Sequence, residues 1–381
     1  MTEKLYYIDA YIKTFSATVT ACEPTASGYE ITLDKTAFFP EEGGQYSDTG
    51  KIGGVAVTEV READGVIYHK TAEPIPVGTT VECELDFDER FEKMQCHTAE
   101  HILSGVLHRL YGVENVGFHL GRDDVTLDVS RPLSWDELIR AEELVNRAIF
   151  ENIEVVEVYP TPDELPTLEY RSKLDLTENV RIINIAGYDS CACCAPHVKR
   201  TGEIGSLKIL DAVKLRGGMR ITVTAGARCY RVMKLAFENL GAISRLLSVP
   251  KLECAEAVSR LHTASEEYKS ELKDYKIQST VREAESIPYS GGNLVHFFDG
   301  VDYDGLRAAV NVLSNRVDGI VVLLSATDGG YKYVILKKGA DLRQEIKGIN
   351  SALSGRGGGN SDFAQGTFSA TADEIKAYFT K

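Results

Sequence analysis

The chain has 381 residues, of which 43% are hydrophobic and 26% are charged, with a net charge of −15. These values are typical of a soluble globular protein with two or three domains, and no apolar stretch is long enough to cross a bilayer. A charge this negative counts against nucleic acid as a partner, unless basic residues are concentrated on one face.

The first part of the chain is predicted to be a β-rich, barrel-like domain over residues 1–90. Its polar N-terminus lacks the apolar run of a signal peptide, so a cytoplasmic location is expected. Turn-forming residues separate short segments of alternating polarity, namely Tyr29–Leu33, Val55–Val60, Val66–His69 and Val81–Phe87. The segment Pro40–Gln45 interrupts this pattern as a loop.

The next part, residues 91–233, mixes helices with strands and is predicted to be an α+β domain. A helical pattern runs over Asp88–Tyr111, and a second helix is expected over Ser134–Asn152, where Ser134 and Glu137 have the spacing of a capping box. Strands are expected at Val180–Ile185, Gly205–Val213 and Arg220–Thr224.

Residues 234–289 are predicted to be a helical connector, broken near Pro250. Leu261, Tyr268 and Tyr275 recur every seven residues and predict a partial coiled-coil seam, which favours a homodimer. Residues 290–381 alternate strand and helix patterns and are predicted to form a small α/β domain.

Two short motifs carry metal-ligand chemistry. His97 and His101 are four residues apart, which places both imidazoles on one face of a helix. Cys193 and His197 have the same spacing within a segment that also contains Cys191 and Cys194. Imidazole and thiolate are preferred zinc ligands, so the two motifs together predict one zinc ion per chain. Spacing alone leaves the choice among the three cysteines open.

Three segments together resemble the freestanding alanyl-tRNA editing proteins of the AlaX type, which are similar to the editing region of alanyl-tRNA synthetase. They are Thr36–Gln45 with Asp48 and Gly50, then His97–His101, and then Cys193–His197 followed by Arg200–Gly205. The chain departs from the family pattern at two places. Cys194, Ala195 and Pro196 stand where the family usually has glycines, and Glu42 stands where a glycine is common in the first segment.

The resemblance implies a trans-editing hydrolase that removes serine, with glycine as a second candidate, from mischarged alanine tRNA. It makes His97, His101, Cys193 and His197 the zinc ligands. It also makes Thr36 the contact to the serine hydroxyl, and Gln45 the group that positions water or the ester carbonyl. No segment before Thr36 is long enough for a synthetase catalytic domain, so the protein is expected not to charge tRNA.

The C-terminal domain is similar to the DHH-associated domain that ends alanyl-tRNA synthetase, through the glycine-rich segment Gly355–Asn360 and Asp362–Gly366. The glycine-rich segment is expected to be a loop whose backbone amides approach phosphate. Basic residues near it are predicted to bind tRNA: Lys337, Lys338, Arg343, Lys347 and Arg356.

Two other interpretations stay open at this point. His97–His101 also fits the H-x-x-E-H pattern of a zinc metallopeptidase, with Glu100 as general base and Glu142 or Glu143 as third ligand. The other is a non-catalytic tRNA-binding protein with a structural zinc, because four protein ligands fill a tetrahedral site. The editing interpretation gives Glu100 no catalytic role.

Overall fold

The computed structural model describes residues 1–122, 124–172 and 180–380. The chain divides into two compact units, Met1–Gly241 and Ala242–Lys381. Both units combine helices and sheets, so the predicted α+β class is confirmed. The division into four segments is finer than this partition and stays a prediction.

The first unit begins with a closed barrel. Its N-terminal strands are β1 (Glu3–Lys4), β2 (Thr14–Thr25), β3 (Gly28–Leu33), β4 (Lys35–Thr36), β5 (Gly50–Ile52), β6 (Val55–Ala63), β7 (Val66–Thr71) and β8 (Thr80–Leu85). The barrel closes in the order β2-β3-β7-β6-β5-β8. In β7 every second side chain is buried, as expected for a strand with one face toward a core. The four strands expected from alternating polarity correspond to β3, β6, β7 and β8.

A long helix, α1 (Phe87–Tyr111), follows the barrel. The side chain of Asp86 accepts a hydrogen bond from the Glu89 amide at its start, and Gly112 ends it in the left-handed conformation with φ of 60°. All residues from Lys93 to Leu107 are buried, so polar and apolar faces alike are covered by other elements. This helix forms the centre of the first unit.

The remaining elements of the first unit surround α1. They are β9 (Asn115–Leu120), β10 (Val125–Val129), α2 (Trp135–Glu151), β11 (Val155–Val158), β12 (Ile182–Ile185), β13 (Asp189–Ala192), β14 (Leu207–Leu215) and β15 (Gly218–Ala225). One sheet has the order β14-β15-β10-β9, and another has the order β11-β12-β13. Ser134 and Glu137 form the predicted capping box of α2.

Two helices follow, α3 (Gly226–Leu247) and α4 (Cys254–Ser286). The break between them contains Pro250, as predicted. Leu261, Tyr268 and Tyr275 on α4 are exposed by 59%, 69% and 67%, so the described chain does not cover the predicted seam. Within the described ranges, no helix combines the length and the apolar character that crossing a membrane requires.

The second unit contains a five-stranded sheet with helices on both faces. Its elements after α4 are β16 (Leu294–Phe298), α5 (Tyr303–Leu313), β17 (Val321–Thr327), β18 (Gly330–Leu336), α6 (Leu342–Ala352), β19 (Gly355–Gly359), β20 (Phe363–Phe368) and α7 (Ala372–Phe379). The strand order is β16-β17-β18-β20-β19, and β16 and β17 are parallel, joined through α5. One core packs α5 against the sheet, and a second core packs α6 and α7 against the other face.

The glycine-rich segment is not a loop, and that expectation is wrong. Gly355–Gly359 forms the edge strand β19, which pairs antiparallel with β20. A Cβ atom on Gly357 would lie 2.4 Å from both the Gln365 carbonyl oxygen and the Tyr333 hydroxyl. Glycine is therefore required here for close packing of two strands.

Candidate metal centre

The structure brings together the four predicted ligands. α1 carries His97 and His101 on one face, and the segment after β13 supplies Cys193 and His197. The ligand atoms of these four side chains all lie within 4.8 Å of one another. Three of the four residues are buried and Cys193 is half-buried. The grouping matches a site that could hold a metal ion.

Hydrogen bonds set the orientation of the three imidazoles. His97 donates from Nδ1 to Gln45 Oε1 at 3.0 Å, and His101 donates from Nδ1 to Asp189 Oδ2 at 3.1 Å. The Thr98 hydroxyl donates to the Met94 carbonyl, so it can only accept from His197 Nδ1, which lies 3.0 Å away. In its neutral form each ring therefore carries its proton on Nδ1 and leaves Nε2 for a metal, the form in which a second residue holds a metal-binding histidine.

The spacing of the ligand atoms fits zinc. Zn–S and Zn–N bonds of about 2.3 and 2.0–2.1 Å at a tetrahedral angle place nitrogen and sulfur about 3.6 Å apart. Cys193 Sγ lies 3.3 Å from His197 Nε2 and 3.6 Å from His97 Nε2. The donor set also suits zinc, because three imidazoles and one thiolate can form a tetrahedral group.

A second candidate group shares His101 and adds Asp189 and Cys191. The Asp189 carboxylate already accepts from His101 Nδ1, and it also accepts from Arg171 Nε at 2.8 Å. A carboxylate with both oxygens engaged serves better to orient His101 than to bind a metal directly. The geometry thus favours the group that contains Cys193.

The site strongly perturbs its titratable groups. Burial alone would raise the pKa of Cys193, but the three neighbouring imidazoles outweigh it and hold that pKa well below its ordinary value. Burial would lower the pKa of His101, whereas the bond to Asp189 and the nearby thiol raise it well above the ordinary value. Burial lowers the pKa of His197 to about 3. The Cys193 thiolate and the neutral His197 ring suit metal binding, whereas His101 must give up its second proton when a metal binds.

Arg181 holds the ligand segment in place, and the sequence contained no signal for it. Its Nη1 donates to the carbonyl oxygens of Cys193 and Ala195 at 3.0 and 2.8 Å, and its own carbonyl accepts from the Cys193 amide. Glu157 accepts from the other side of the guanidinium. This network fixes the backbone that bears the thiolate.

The loop between β4 and β5 packs against α1 and contacts several of its side chains. Gln45 is fully buried and orients His97 from this loop. Its Nε2 is buried without a hydrogen-bond partner among the described residues, so the amide can still donate. Asp48 anchors the same loop, because its carboxylate accepts from Arg90 Nε at 2.8 Å and lies 2.8 Å from Lys93 Nζ.

Thr36 has a different environment. It is fully buried in the barrel and is not one of the described residues that line the cavity at the metal site. Burial lowers the pKa of His69 to about 4, so this imidazole is neutral. His69 Nδ1 donates to the Ile31 carbonyl, and its Nε2 therefore accepts from the Thr36 hydroxyl at 2.9 Å. The role predicted for Thr36 stays a prediction.

A cavity of 1230 Å³ opens at the metal site. His97, His101 and Cys193 line it together with Glu100 and Asn115. Its wall also includes aromatic and cationic side chains that could contact a nucleotide: Tyr7, Phe118, Tyr159, Tyr170, Arg171 and Arg181. The cavity is large enough for an aminoacyl group attached to a ribose.

The five basic residues predicted to bind tRNA all belong to the second unit. Lys338 Nζ donates to Asn315 Oδ1, and Arg343 forms a two-point ion pair with Asp341. Lys337 lies 3.8 Å from Glu345, while Lys347 on α6 and Arg356 on β19 are exposed. Their contacts leave the tRNA-binding role a prediction.

Comparison with known proteins identifies the family. A model described as the threonyl and alanyl tRNA synthetase second additional domain matches residues 180–222, and a model of class II (A) tRNA synthetases matches residues 5–89. The alanyl-tRNA editing protein AlaX-L of Pyrococcus horikoshii is 30% identical over 98% of this chain and 96% of its own length. The chain belongs to the AlaX family of alanyl-tRNA editing proteins.

Alanine–tRNA ligases are also similar. Those of Halobacterium salinarum and Thermococcus kodakarensis are each 32% identical over 91% and 96% of this chain. The chain spans only 38% and 41% of their lengths. The C-Ala domain of Aquifex aeolicus alanyl-tRNA synthetase is 23% identical, covering 24% of this chain and 94% of that domain, with a TM-score of 0.22.

The positions of its two candidate third ligands contradict the peptidase interpretation. Glu142, its candidate third ligand, lies on α2 and accepts from Lys208 Nζ and the Ile209 amide. Glu143 accepts from Arg140 on the same helix. Neither glutamate belongs to the metal-ligand groups of the described chain.

Proposed function

We propose that the chain is a trans-editing deacylase, which hydrolyses the ester between serine and alanine tRNA, with glycine as a second candidate. The observation that carries this proposal is the convergence of three imidazoles and Cys193 Sγ, with His97, His101 and Cys193 on the wall of a cavity. Membership of the editing family supports the reaction class.

The residues of the chain have separate tasks at this site. A zinc ion held by His97, His101, Cys193 and His197 would supply Lewis-acid polarisation of the ester or of water. Gln45 fixes the His97 ring through Oε1 and keeps Nε2 free to donate to a carbonyl oxygen or to water. The aromatic side chains of Tyr7, Phe118, Tyr159 and Tyr170 on the cavity wall would shield part of the ester from water.

Selection for serine requires a polar contact inside the site. A pocket that hydrogen-bonds a substrate hydroxyl rejects the analogue without that hydroxyl by about 10⁴-fold in favourable cases. Thr36 remains our candidate by family resemblance. Its hydroxyl proton is donated to His69, so its oxygen could only accept a hydrogen bond from serine.

A deacylation assay tests this function. Alanine tRNA charged with serine, glycine or alanine is incubated with wild type, His101→Ala and His108→Ala. His108 is a matched control, because it lies on the same helix but is 46% exposed and pairs with Glu114. We expect only His101→Ala to lose serine release. Binding of charged tRNA without turnover by wild type would show a non-catalytic tRNA-binding protein instead.

We also propose that the second unit reads the tRNA body, since the same seryl ester occurs on correctly charged serine tRNA. Phosphate contacts from Lys337, Lys338, Arg343, Lys347 and Arg356 would supply affinity.

The exposed seam of α4 would pair two chains in a homodimer. Analytical ultracentrifugation at micromolar concentration tests this pairing, and a monomer there would contradict it.

A further inference from the structure

Glu100 is a buried carboxylate on the wall of the cavity. It lies between His97 and His101 on α1, and only 4% of its surface is exposed. Its direct contacts in the described ranges are with neutral side chains, while Arg171 on the same cavity wall interacts with it only through a longer-range charge interaction. A buried carboxylate that no cation contacts directly is stabilised when a bound ligand brings a cation to it.

The neighbours of Glu100 occupy one of its two oxygens. The Ser104 hydroxyl donates to Oε1, and Asn115 Nδ2 donates to the same atom at 2.7 Å. Neither of these described donors reaches Oε2, which leaves that oxygen available toward the cavity.

Asn115 provides a second unsatisfied acceptor at the same place. Its amide orientation is fixed, because Nδ2 also donates to Ser104 Oγ at 3.3 Å. Oδ1 is consequently turned away from the carboxylate, and it is buried without a hydrogen-bond partner in the described part of the chain. Glu100 and Asn115 both line the cavity, so it offers a carboxylate oxygen and a neutral carbonyl oxygen from neighbouring side chains, which are acceptors suited to an ammonium group.

An aminoacyl ester carries such a group on the carbon next to its carbonyl. Because Glu100 is adjacent to the metal ligands on one helix face, a carbonyl placed at the metal site brings this ammonium close to Glu100. We propose that Glu100 and Asn115 bind the α-ammonium group, so that the site selects esters of free amino acids over N-acylated ones. The inference rests on the proposed deacylase function and deepens it.

The test compares seryl-tRNA with its α-hydroxy analogue, which is made by nitrous acid deamination and differs only in the amine. Wild type should hydrolyse the amine-bearing ester with a kcat/KM about 10- to 100-fold higher, the value of a charged hydrogen bond. Glu100→Gln should lose that factor on seryl-tRNA and almost nothing on the analogue, while its metal content stays unchanged.

Glu114→Gln is the matched control, since Glu114 lines the same cavity but is 56% exposed and pairs with His108. It should leave both rates unchanged. An equal loss on both esters in Glu100→Gln would make Glu100 a proton acceptor and overturn the inference. A wild-type enzyme without amine preference would overturn it as well.

A binding measurement separates this inference from the proposed function. The probe is adenosine carrying serine through a stable 3′-amide, compared with its deaminated analogue by calorimetry. Preference for the amine without any ester hydrolysis would sink the deacylase proposal and support ammonium binding. Equal affinity for both probes, in an enzyme that hydrolyses seryl-tRNA, would do the reverse.

Discussion

Replacing Asp48 by asparagine should strongly destabilise the first unit. The Asp48 side chain is 2% exposed and contacts Arg90 and Lys93, which are 1% and 0% exposed. The Phe39 amide donates to the same carboxylate at 2.8 Å. The substitution therefore removes the one negative charge that these two buried cations share most closely.

The expected loss is about 3 kcal/mol. Breaking a buried ion pair from one side costs about 3–5 kcal/mol, because the remaining charge has no partner. Glu89 lies 3.5 Å from Lys93 and remains as a second negative charge, which keeps the cost near the lower end of this range. That cost is still a large part of a stability of about 5–15 kcal/mol.

The measurement is urea unfolding of the two proteins at neutral pH, followed by circular dichroism. Glu30→Gln is the control: its ion pair with Arg61 is partly exposed, at 24% for Glu30 and 45% for Arg61, and should contribute no more than about 1 kcal/mol. A loss in Asp48→Asn no greater than in this control would refute the role assigned to the buried network.

The same ion-pair network predicts that the free energy of unfolding decreases at acid pH. Burial would raise the pKa of Asp48, but Arg90 and Lys93 outweigh it and lower that pKa below 3.8. The contribution of Asp48 to stability is therefore complete above about pH 4 and is lost as the pH falls through the lowered pKa. Asp48→Asn should flatten this part of the stability curve.

Three other outcomes are expected. Cys193→Ala should abolish stoichiometric zinc measured by mass spectrometry, while Cys191→Ala should retain it; the opposite result would favour the second ligand group. Replacing Lys337 and Lys338 by alanine should weaken tRNA binding and flatten its salt dependence by about one unit for each lost phosphate contact, and an unchanged slope would contradict their role. Gly105→Ala would place a methyl group 2.3 Å from a carbonyl oxygen just before β13. It should lower zinc affinity in a chelator titration by displacing that strand, whereas unchanged affinity would show that the two elements can separate freely.

Local patterns explain which parts of the site could be predicted. Both halves of the ligand set have a four-residue spacing, so the motifs are visible without tertiary structure. Thr98 and Asp189 lie in or beside the two motifs but were missed, because their contacts to His197 and His101 join separate elements. Arg181 was missed because nothing near it in the chain indicates metal chemistry. Glu100 was considered only as a peptidase base, because Asn115, which donates to it, comes from the separate strand β9.

The glycine-rich segment is a case in which local sequence propensity gives the wrong structure. Its local propensity favours a loop, since glycine is flexible and disfavoured in strands. Pairing with β20 and contact with the Tyr333 hydroxyl overrule that preference in the folded unit. A sequence pattern cannot contain this information, because the strand is specified by its partners.

The burial of α1 limits which substitutions this chain can accept during evolution. The same helix receives the barrel loop at Arg90 and Lys93 and presents His97 and His101 one and two turns later. A substitution at Asp48 can therefore disturb the metal site, although Asp48 does not line the cavity. Grafting the two ligand motifs alone onto another protein would omit the contacts of Asp48 with Arg90 and Lys93 that hold the loop against this helix.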